Sequence, residues 1–142
     1  MTKRQPEAEG EFKVCVIRSE QRETELPKKA ILKELRRCRF CADALFGIKL
    51  ALEEALTNAV RHGNQRDPTK TITVRYSITA ERAVVIVRDE GPGFEPEEIP
   101  DPTTEDRLSV PSGRGIMLIK AYMDEVEYRD EGREVYFVKR RS

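Results

Sequence analysis

The apolar residues between positions 41 and 88 follow a helical period first and a strand period afterwards, and this switch strongly constrains the fold. Over residues 41–61, apolar side chains recur at steps of three and four, which predicts one buried helical stripe made of Leu45, Ile48, Leu52, Leu56 and Ala59. The next segments alternate apolar and polar residues, which is typical of strands with one buried face. The alternating residues are Ile72, Val74, Tyr76 and Ile78 in one strand, and Val85 and Val87 in the next.

Less extensive patterns on either side complete the order of elements. They predict strands over residues 11–18, 125–129 and 134–139, a helix from Pro27 to about residue 39, and a helix over residues 116–123. In the first strand, Phe12, Val14 and Val16 share one face. The order β-α-α-β-β-loop-α-β-β predicts an α+β fold, a two-layer sandwich in which helices pack on one face of a mostly antiparallel sheet.

Length and charge narrow the class of protein. The 142 residues suit one domain, which we place at residues 11–142 after a disordered lead-in over residues 1–10. The 26 basic residues balance the 26 acidic ones, so the composition carries no signature of nucleic-acid binding or of contact with an anionic membrane. The chain has no apolar run of about 18 residues and begins with a polar segment, so we expect a cytoplasmic protein.

The three cysteines, Cys15, Cys38 and Cys41, are an odd number, which suits a reducing compartment. Cys38 and Cys41 form a CxxC pair that could join Cys15 and His62 in a zinc site. A lone CxxC within a helical stretch is a weak zinc signal, so structural thiols are the favoured interpretation.

Glu54 and Asn58 lie four residues apart, so they project side by side from one turn of the predicted helix. The carboxylate can accept a proton from a hydroxyl or water, and the amide oxygen is a hard ligand suited to Mg²⁺. With Gly47 and Ala51 they form a second stripe, which we expect to face away from the core and which, with two small and two polar residues, could leave room for a ligand. Solvated helix surface is the alternative interpretation. Gly63 is predicted to end the helix as its C′ residue.

A second motif, DEGPG at residues 89–93, follows a strand directly. Asp89 continues the buried face of that strand, so its carboxylate needs a hydrogen-bond donor, which an amine of a ligand could supply. Gly91 and Gly93 would let a flat ring approach the backbone closely. A plain tight turn is the alternative interpretation.

A third motif, Gly113-Arg114-Gly115, opens the predicted helix over residues 116–123 after a long loop. Glycines at a helix N-terminus allow backbone amides to point at an anion, and the helix dipole adds to the attraction. A simple helix entry is the alternative interpretation. A loop as long as the one before this motif usually has a function or is mobile.

These features, taken in this order, form the parts of one nucleotide site. They are the helix with Glu54 and Asn58, the glycine turn at residues 89–93, the long loop, and the Gly-x-Gly start of the next helix. No GxxxxGK[ST] or GxGxxG motif occurs. The segments EALTNAVRHG, DEGPGF and GRGIML resemble the N box and the two glycine boxes of the GHKL ATPase superfamily, which has the Bergerat ATP-binding fold. Over residues 12–139, the sequence is most similar to the bacterial anti-sigma factor serine/threonine kinases.

The resemblance implies a role for several residues near the base and the metal. Glu54 matches the general base, and Asn58 matches the Mg²⁺ ligand that bridges the phosphates. Asp89 matches the carboxylate that accepts a hydrogen bond from the exocyclic amine of adenine. Gly91 and Gly93 match the glycines that line the adenine pocket.

The same resemblance implies that the second glycine box cradles the phosphates of ATP through Gly113, Arg114 and Gly115. Residues 94–112 match the lid over the nucleotide. His62 also matches the N box, but we interpret it as structural because it follows the catalytic turn.

The function implied by the resemblance is that of an ATP- and Mg²⁺-dependent serine/threonine protein kinase that acts as an anti-sigma factor. Such a kinase phosphorylates a STAS-domain antagonist or holds a sigma factor inactive. A homodimer is expected from the family, and no direct contact with nucleic acid or membrane is expected. The alternative is a nucleotide-gated adaptor that sequesters a partner without phosphotransfer.

Two departures from the family pattern bear on phosphotransfer. Arg133 and Glu134 stand where related kinases often carry threonines near the nucleotide. Pro111 lies where some of these kinases place an arginine before the second glycine box. Arg107 and Arg114 are then the candidates for contact with the γ-phosphate, with solvated lid charges as the alternative interpretation.

Overall fold

The computed structural model describes residues 11–92 and 119–142, within which five strands form one antiparallel sheet of order β1-β2-β3-β5-β4. The strands are β1 Lys13–Arg18, β2 Thr71–Ile78, β3 Arg82–Arg88, β4 Glu125–Arg129 and β5 Glu134–Arg140. The longer helices are α1 Glu25–Arg37 and α2 Ala42–Asn58, and residues 119–122 are also helical. The predicted order of these elements and the α+β fold class are confirmed.

Local sequence explains where the two long helices begin. Helix α1 carries Pro27 in its first turn, where a missing backbone N–H costs nothing. Cys41 caps α2, because its Sγ accepts a hydrogen bond from Ala44 N at 3.4 Å. This contact supports the structural interpretation of the Cys41 thiol.

The hydrophobic core lies between the two helices and one face of the sheet. The helices contribute large side chains that are at most 1% exposed, namely Ile31, Leu35, Ile48, Leu52 and Leu56. The sheet contributes Ile72, Val74, Val85 and Phe137 to the same cluster. Burial of one such side chain stabilises the fold by about 1.5–3 kcal/mol. The apolar stripe predicted for α2 and the alternation predicted for β2 and β3 are therefore confirmed.

Strand β1 lies at the edge of the sheet and directs two valines away from the core. Val14 and Val16 are 58% and 59% exposed, whereas Ile17 is buried. Phe12 packs against a second, smaller apolar cluster made by Val84, Ile86, Tyr136 and Val138. The three residues predicted to share a face do so, but that face is the one without helices, here called the outer face.

The expectation that Gly47 and Ala51 leave an open stripe along α2 is wrong. A Cβ atom at Gly47 would lie 3.3 Å from the carbonyl oxygen of Tyr122 and 3.4 Å from Met123 Cε. Ala51 is 1% exposed and belongs to the core. The small side chains admit a neighbouring segment of the chain, so only the C-terminal turn of the predicted stripe remains for a ligand.

The part of the chain described by the structure contains no helix long and apolar enough to cross a bilayer. The division into a lead-in over residues 1–10 and a domain over residues 11–142 stays a prediction, because the first ten residues lie outside the described ranges.

Candidate functional site

The C-terminal end of α2 continues into a wide turn before the chain leaves the helix. This π turn spans Ala59–Gly63, and Asn64 N donates a hydrogen bond to Ala59 O at 2.8 Å. Such turns are rare and often occur at functional sites. The prediction that Gly63 is a C′ residue is wrong, since among the described glycines only Gly132 has a positive φ. A glycine is needed at residue 63 for a different reason.

That reason is the turn after β3, which packs directly against the π turn. A Cβ atom at Gly63 would lie 2.9 Å from Asp89 Oδ1 and closer still to Asp89 Oδ2. A Cβ atom at Gly91 would overlap the carbonyl group of Gly63. Gly63 is therefore required by the close approach of the Asp89 carboxylate, and Gly91 by the close approach of the two backbones. The contact joins the helix that carries Asn58 to the strand end that carries Asp89.

Asn64 fixes this junction from the inside. Its side chain is fully buried, donates from Nδ2 to Thr71 O at 3.0 Å and accepts from Glu90 N at 2.7 Å. The Glu90 carboxylate in turn accepts a hydrogen bond from Thr71 N at 3.0 Å. A buried amide paired at both ends holds its neighbours rigidly. Sequence reasoning missed Asn64, for which its place directly after the N-box segment was the one available signal.

Asp89 is the buried carboxylate of the site, with 7% of its surface exposed. Its Oδ1 accepts a hydrogen bond from Gly91 N at 2.8 Å, and its own N–H donates to Arg133 O at 2.9 Å. Burial raises the pKa of Asp89, although the Gly91 hydrogen bond and the positive charges of Arg88 and Arg133 oppose the shift. The predicted burial of this carboxylate at the end of β3 is confirmed.

Asn58 is the last residue of α2, and its side chain contains a buried polar atom without a hydrogen-bond partner in the part of the chain that the structure describes. Its Oδ1 is buried and, within the described residues, accepts no hydrogen bond. A buried polar atom without a partner costs about 1–3 kcal/mol, so an oxygen in this state suits a ligand that is absent from the structure. An amide oxygen fits the Mg²⁺ ion that the resemblance implies.

Asn58 Oδ1 would supply a Mg²⁺ ion with one protein oxygen. Within residues 11–92 and 119–142, no group of three or more His, Cys, Asp or Glu side chains is placed to hold a metal. Mg²⁺ in phosphate-transfer sites takes one or two protein oxygens and completes its shell with water and substrate phosphates. Asn58 is the residue that would hold the ion here.

Glu54 and Glu53, although adjacent, have different surroundings. Glu53 forms an ion pair with Lys28 of α1. Glu54 is half-buried, one turn before Asn58, and forms no ion pair within the described part of the chain. Burial raises the pKa of Glu54 and the charge of Glu53 raises it further, while Arg61 opposes the shift. A raised pKa brings a carboxylate closer to the range in which a general base works best.

His62 lies in the π turn with an exposed side chain. Partial burial and the positive charges of Arg61 and Arg66 lower the pKa of the imidazole, which favours its neutral form. Its interpretation as a structural residue stays a prediction.

Several predicted site residues lie outside the described ranges, and the structure gives no account of them. They are Gly93, Gly113, Arg114 and Gly115, together with Arg107, Pro111 and the predicted lid over residues 94–112. The structure joins the elements that carry the remaining four: Glu54, Asn58, Asp89 and Gly91.

Comparison with known families decides which class this arrangement represents. Residues 17–139 match the family described as the histidine kinase-like ATPase domain. The chain belongs to this family. The resemblance inferred from the three motifs is thereby confirmed, and so is the histidine kinase-like ATPase type of the fold.

The curated relatives of this family member include proteins named as serine-protein kinases and one named as an anti-sigma factor. The serine-protein kinase RsbW of Listeria innocua is 33% identical over 113 residues, which cover 72% of this chain and 70% of the relative. RsbW of Bacillus subtilis is 32% identical over 101 residues, covering 66% and 62% respectively. The anti-sigma F factor of Clostridium perfringens is 33% identical over 104 residues, covering 69% and 74%. The predicted enzyme class, a kinase of the GHKL type, is confirmed.

Proposed function

We propose that this family member is an ATP- and Mg²⁺-dependent serine/threonine protein kinase that acts as an anti-sigma factor by partner switching. The observation that carries the proposal is the buried, unpaired Oδ1 of Asn58, one helical turn after Glu54. A solvated helix surface would not bury an amide oxygen without a partner. A site that receives a metal-bound triphosphate explains it.

Recognition of the adenine base is assigned to the junction between the π turn and β3. Asp89 would accept a hydrogen bond from the exocyclic amine, since a carboxylate whose Oδ1 accepts from Gly91 N still has acceptor capacity left. Binding a donor would offset the cost of keeping this carboxylate ionised in a buried place. The absence of side chains at Gly63 and Gly91 lets the π turn and the turn after β3 pack together, which places the Asp89 carboxylate at this junction.

The phosphates are assigned to the end of α2. Asn58 would hold the Mg²⁺ ion through Oδ1, and the bound ion would neutralise charge on the transferred phosphoryl group. Glu54 would accept the proton of the acceptor hydroxyl as the hydroxyl oxygen bonds to the γ-phosphorus. The bond from the γ-phosphorus to the bridging oxygen then breaks and ADP leaves.

The names of two relatives, a serine-protein kinase and an anti-sigma F factor, support a proposal about the partners. We propose a STAS-domain antagonist as the phosphorylated protein and a sigma factor as the sequestered one. A homodimer and a cytoplasmic location stay predictions, as does the absence of direct contact with nucleic acid and membrane.

Phosphotransfer to the antagonist is tested with radiolabelled ATP and a purified STAS-domain protein. Glu54→Gln should reduce the transfer rate by about 10²–10⁴, the usual contribution of a general base, and should leave ATP binding by calorimetry intact. Glu53→Gln is the matched control, because it removes the adjacent carboxylate, which pairs with Lys28. Near-normal transfer by Glu54→Gln would remove that residue from the proposed role.

A second candidate function, the nucleotide-gated adaptor, is favoured by Arg133 and Glu134. Both side chains are engaged with protein groups: Arg133 with the turn after β3, and Glu134 with Arg88 and Arg129. They replace hydroxyl groups that related kinases often place near the nucleotide. Label transfer to a serine of the STAS-domain protein would exclude the adaptor, whereas ATP-dependent partner binding without transfer would favour it.

A further inference from the structure

Arg133 connects the hairpin between β4 and β5 to the turn that carries Asp89. Its Nε donates to Gly91 O at 2.8 Å, and its Nη2 donates to Pro92 O at 2.9 Å. Its carbonyl oxygen accepts from Asp89 N at 2.9 Å. The turn after β3 therefore wraps around one residue, which holds it through both main chain and side chain.

The other side of the guanidinium is held by the hairpin itself. Arg133 Nη1 donates to the backbone oxygen of Asp130 at 3.2 Å, to its Oδ1 at 3.3 Å and to Glu131 Oε1 at 3.3 Å. Asp130 also forms an ion pair with Arg88. The guanidinium thus faces oxygens of the protein on both sides and is oriented before any ligand arrives.

The hairpin has an unusual backbone conformation in the three residues directly before Arg133. Asp130, Glu131 and Gly132 have φ values of 52°, 57° and 84°, in the left-handed region. Two of these three residues carry a side chain, and such conformations persist where the surroundings enforce them. The contacts of Arg133 and Arg88 with Asp130 are such an enforcement.

We propose that Arg133 is a positioning residue for nucleotide binding: by holding the Gly91 and Pro92 carbonyls it keeps the turn, and with it the Asp89 carboxylate, in the binding geometry. This inference rests on the proposed function, because it assigns base recognition to Asp89. Arg133 does not act as a phosphate ligand, since its donors are directed at protein oxygens.

The physical consequence is a smaller ordering cost when the nucleotide binds. Glycine allows the backbone at residue 91 several conformations, and the observed one places the Gly91 N–H on Asp89 Oδ1. If the fraction of molecules with the competent turn falls, the apparent affinity falls by the same factor. Loss of one hydrogen bond from a charged donor corresponds to about tenfold or more.

The test measures binding of Mg·ATP and Mg·ADP by calorimetry to the wild type, Arg133→Gln, Arg133→Lys and Arg129→Gln. Arg129 lies on the same hairpin, but it pairs with Glu127 and Glu134 across the outer face, so Arg129→Gln is the matched control. Arg133→Gln should weaken binding by about tenfold or more. Arg133→Lys should weaken it less, because an ammonium can still reach one carbonyl.

Two readouts separate positioning from other roles. Arg133→Gln should weaken ADP and ATP by the same factor, whereas a phosphate ligand would affect the triphosphate more. In the ligand-free protein, the Asp89 and Gly91 amides should exchange hydrogen faster in Arg133→Gln than in Arg129→Gln, with the rest of the sheet unchanged. Circular dichroism checks that each variant is folded. If Arg133→Gln does not fold, the same measurements are made on Arg133→Lys, for which a smaller loss of affinity is expected.

The outcomes distinguish this inference from the function on which it rests. Wild-type affinity in Arg133→Gln, or a loss that differs between ADP and ATP, would overturn the positioning role and leave the proposed function standing. Unchanged amide exchange at Asp89 and Gly91 would do the same. If the wild type itself binds no Mg·ATP, the proposed function fails first and the inference fails with it.

Discussion

The carboxylate of Asp89 lies against the backbone of Gly63, so closely that a Cβ atom at residue 63 would be 2.9 Å from Asp89 Oδ1 and nearer to Oδ2. Two segments that are distant in sequence, the turn at the end of α2 and the turn after β3, can meet here because residue 63 has no side chain. The proposed base-binding carboxylate and the proposed metal ligand depend on this contact for their relative placement.

Gly63→Ala should therefore disrupt both stability and nucleotide binding. Overpacking of a well-packed contact typically costs about 1–3 kcal/mol, and here the displaced atoms belong to a buried carboxylate. We expect urea unfolding to show a loss of that size together with reduced ATP affinity. Gly47→Ala is the matched control, because its Cβ would meet neighbours at 3.3 Å or more. Equal effects of the two substitutions would contradict the special role of Gly63.

Asp89→Asn should separate stability from function. The folded state holds the pKa of Asp89 above its ordinary value of 3.8, so the unfolded state binds fewer protons and the wild type loses stability as pH rises through this range. Asparagine does not ionise, so the stability of the variant lacks this contribution to its pH dependence. As pH rises from about 4 to the raised pKa, the free energy of unfolding should therefore fall more in the wild type than in the variant. The variant should also lose ATP binding. A constant difference across this range would refute the expectation.

Glu53→Gln and Arg61→Gln should shift the acid limb of the pH profile of phosphotransfer in opposite directions. The general base must be ionised, so the rate falls as pH falls through the raised pKa of Glu54. The negative charge of Glu53 raises that pKa, and the positive charge of Arg61 lowers it. The limb should move to lower pH in Glu53→Gln and to higher pH in Arg61→Gln, measured at saturating ATP. Movement of both in one direction would exclude Glu54 as the titrating base.

Asn58→Leu should abolish the magnesium dependence of ATP binding without destabilising the ligand-free protein. Its buried Oδ1 has no partner among the described residues, and removing such an atom can restore about 1–3 kcal/mol of desolvation cost. Thermal unfolding without ligand checks the stability, and calorimetry with and without magnesium checks the binding. Asn58→Asp should change the magnesium concentration required. Unchanged magnesium titrations in both variants would remove Asn58 from the site.

The order of elements could be predicted from sequence because it depends on local periodicity. Alternation places β2 within one residue of its observed bounds and identifies Val85 and Val87 as residues of β3, while three- and four-residue steps identify the buried face of α2. The same reasoning gave the right alternation in β1 but could not say on which face the helices lie. Which face of the sheet the helices cover depends on how the whole sheet packs. The helices cover the opposite face from Val14 and Val16, which are therefore exposed.

The motifs identified the family and the proposed site residues, since the chemistry of a carboxylate, an amide and a glycine turn depends on residue type and short spacing. Tertiary structure alone decided the rest. Gly63 is a point of close approach and not a helix stop, Ala51 is core, and Asn64 and Arg133 hold the site through bonds to residues 26 and 42 positions away. Contacts of that range leave no periodic trace, because they depend on where folding brings two distant backbones together.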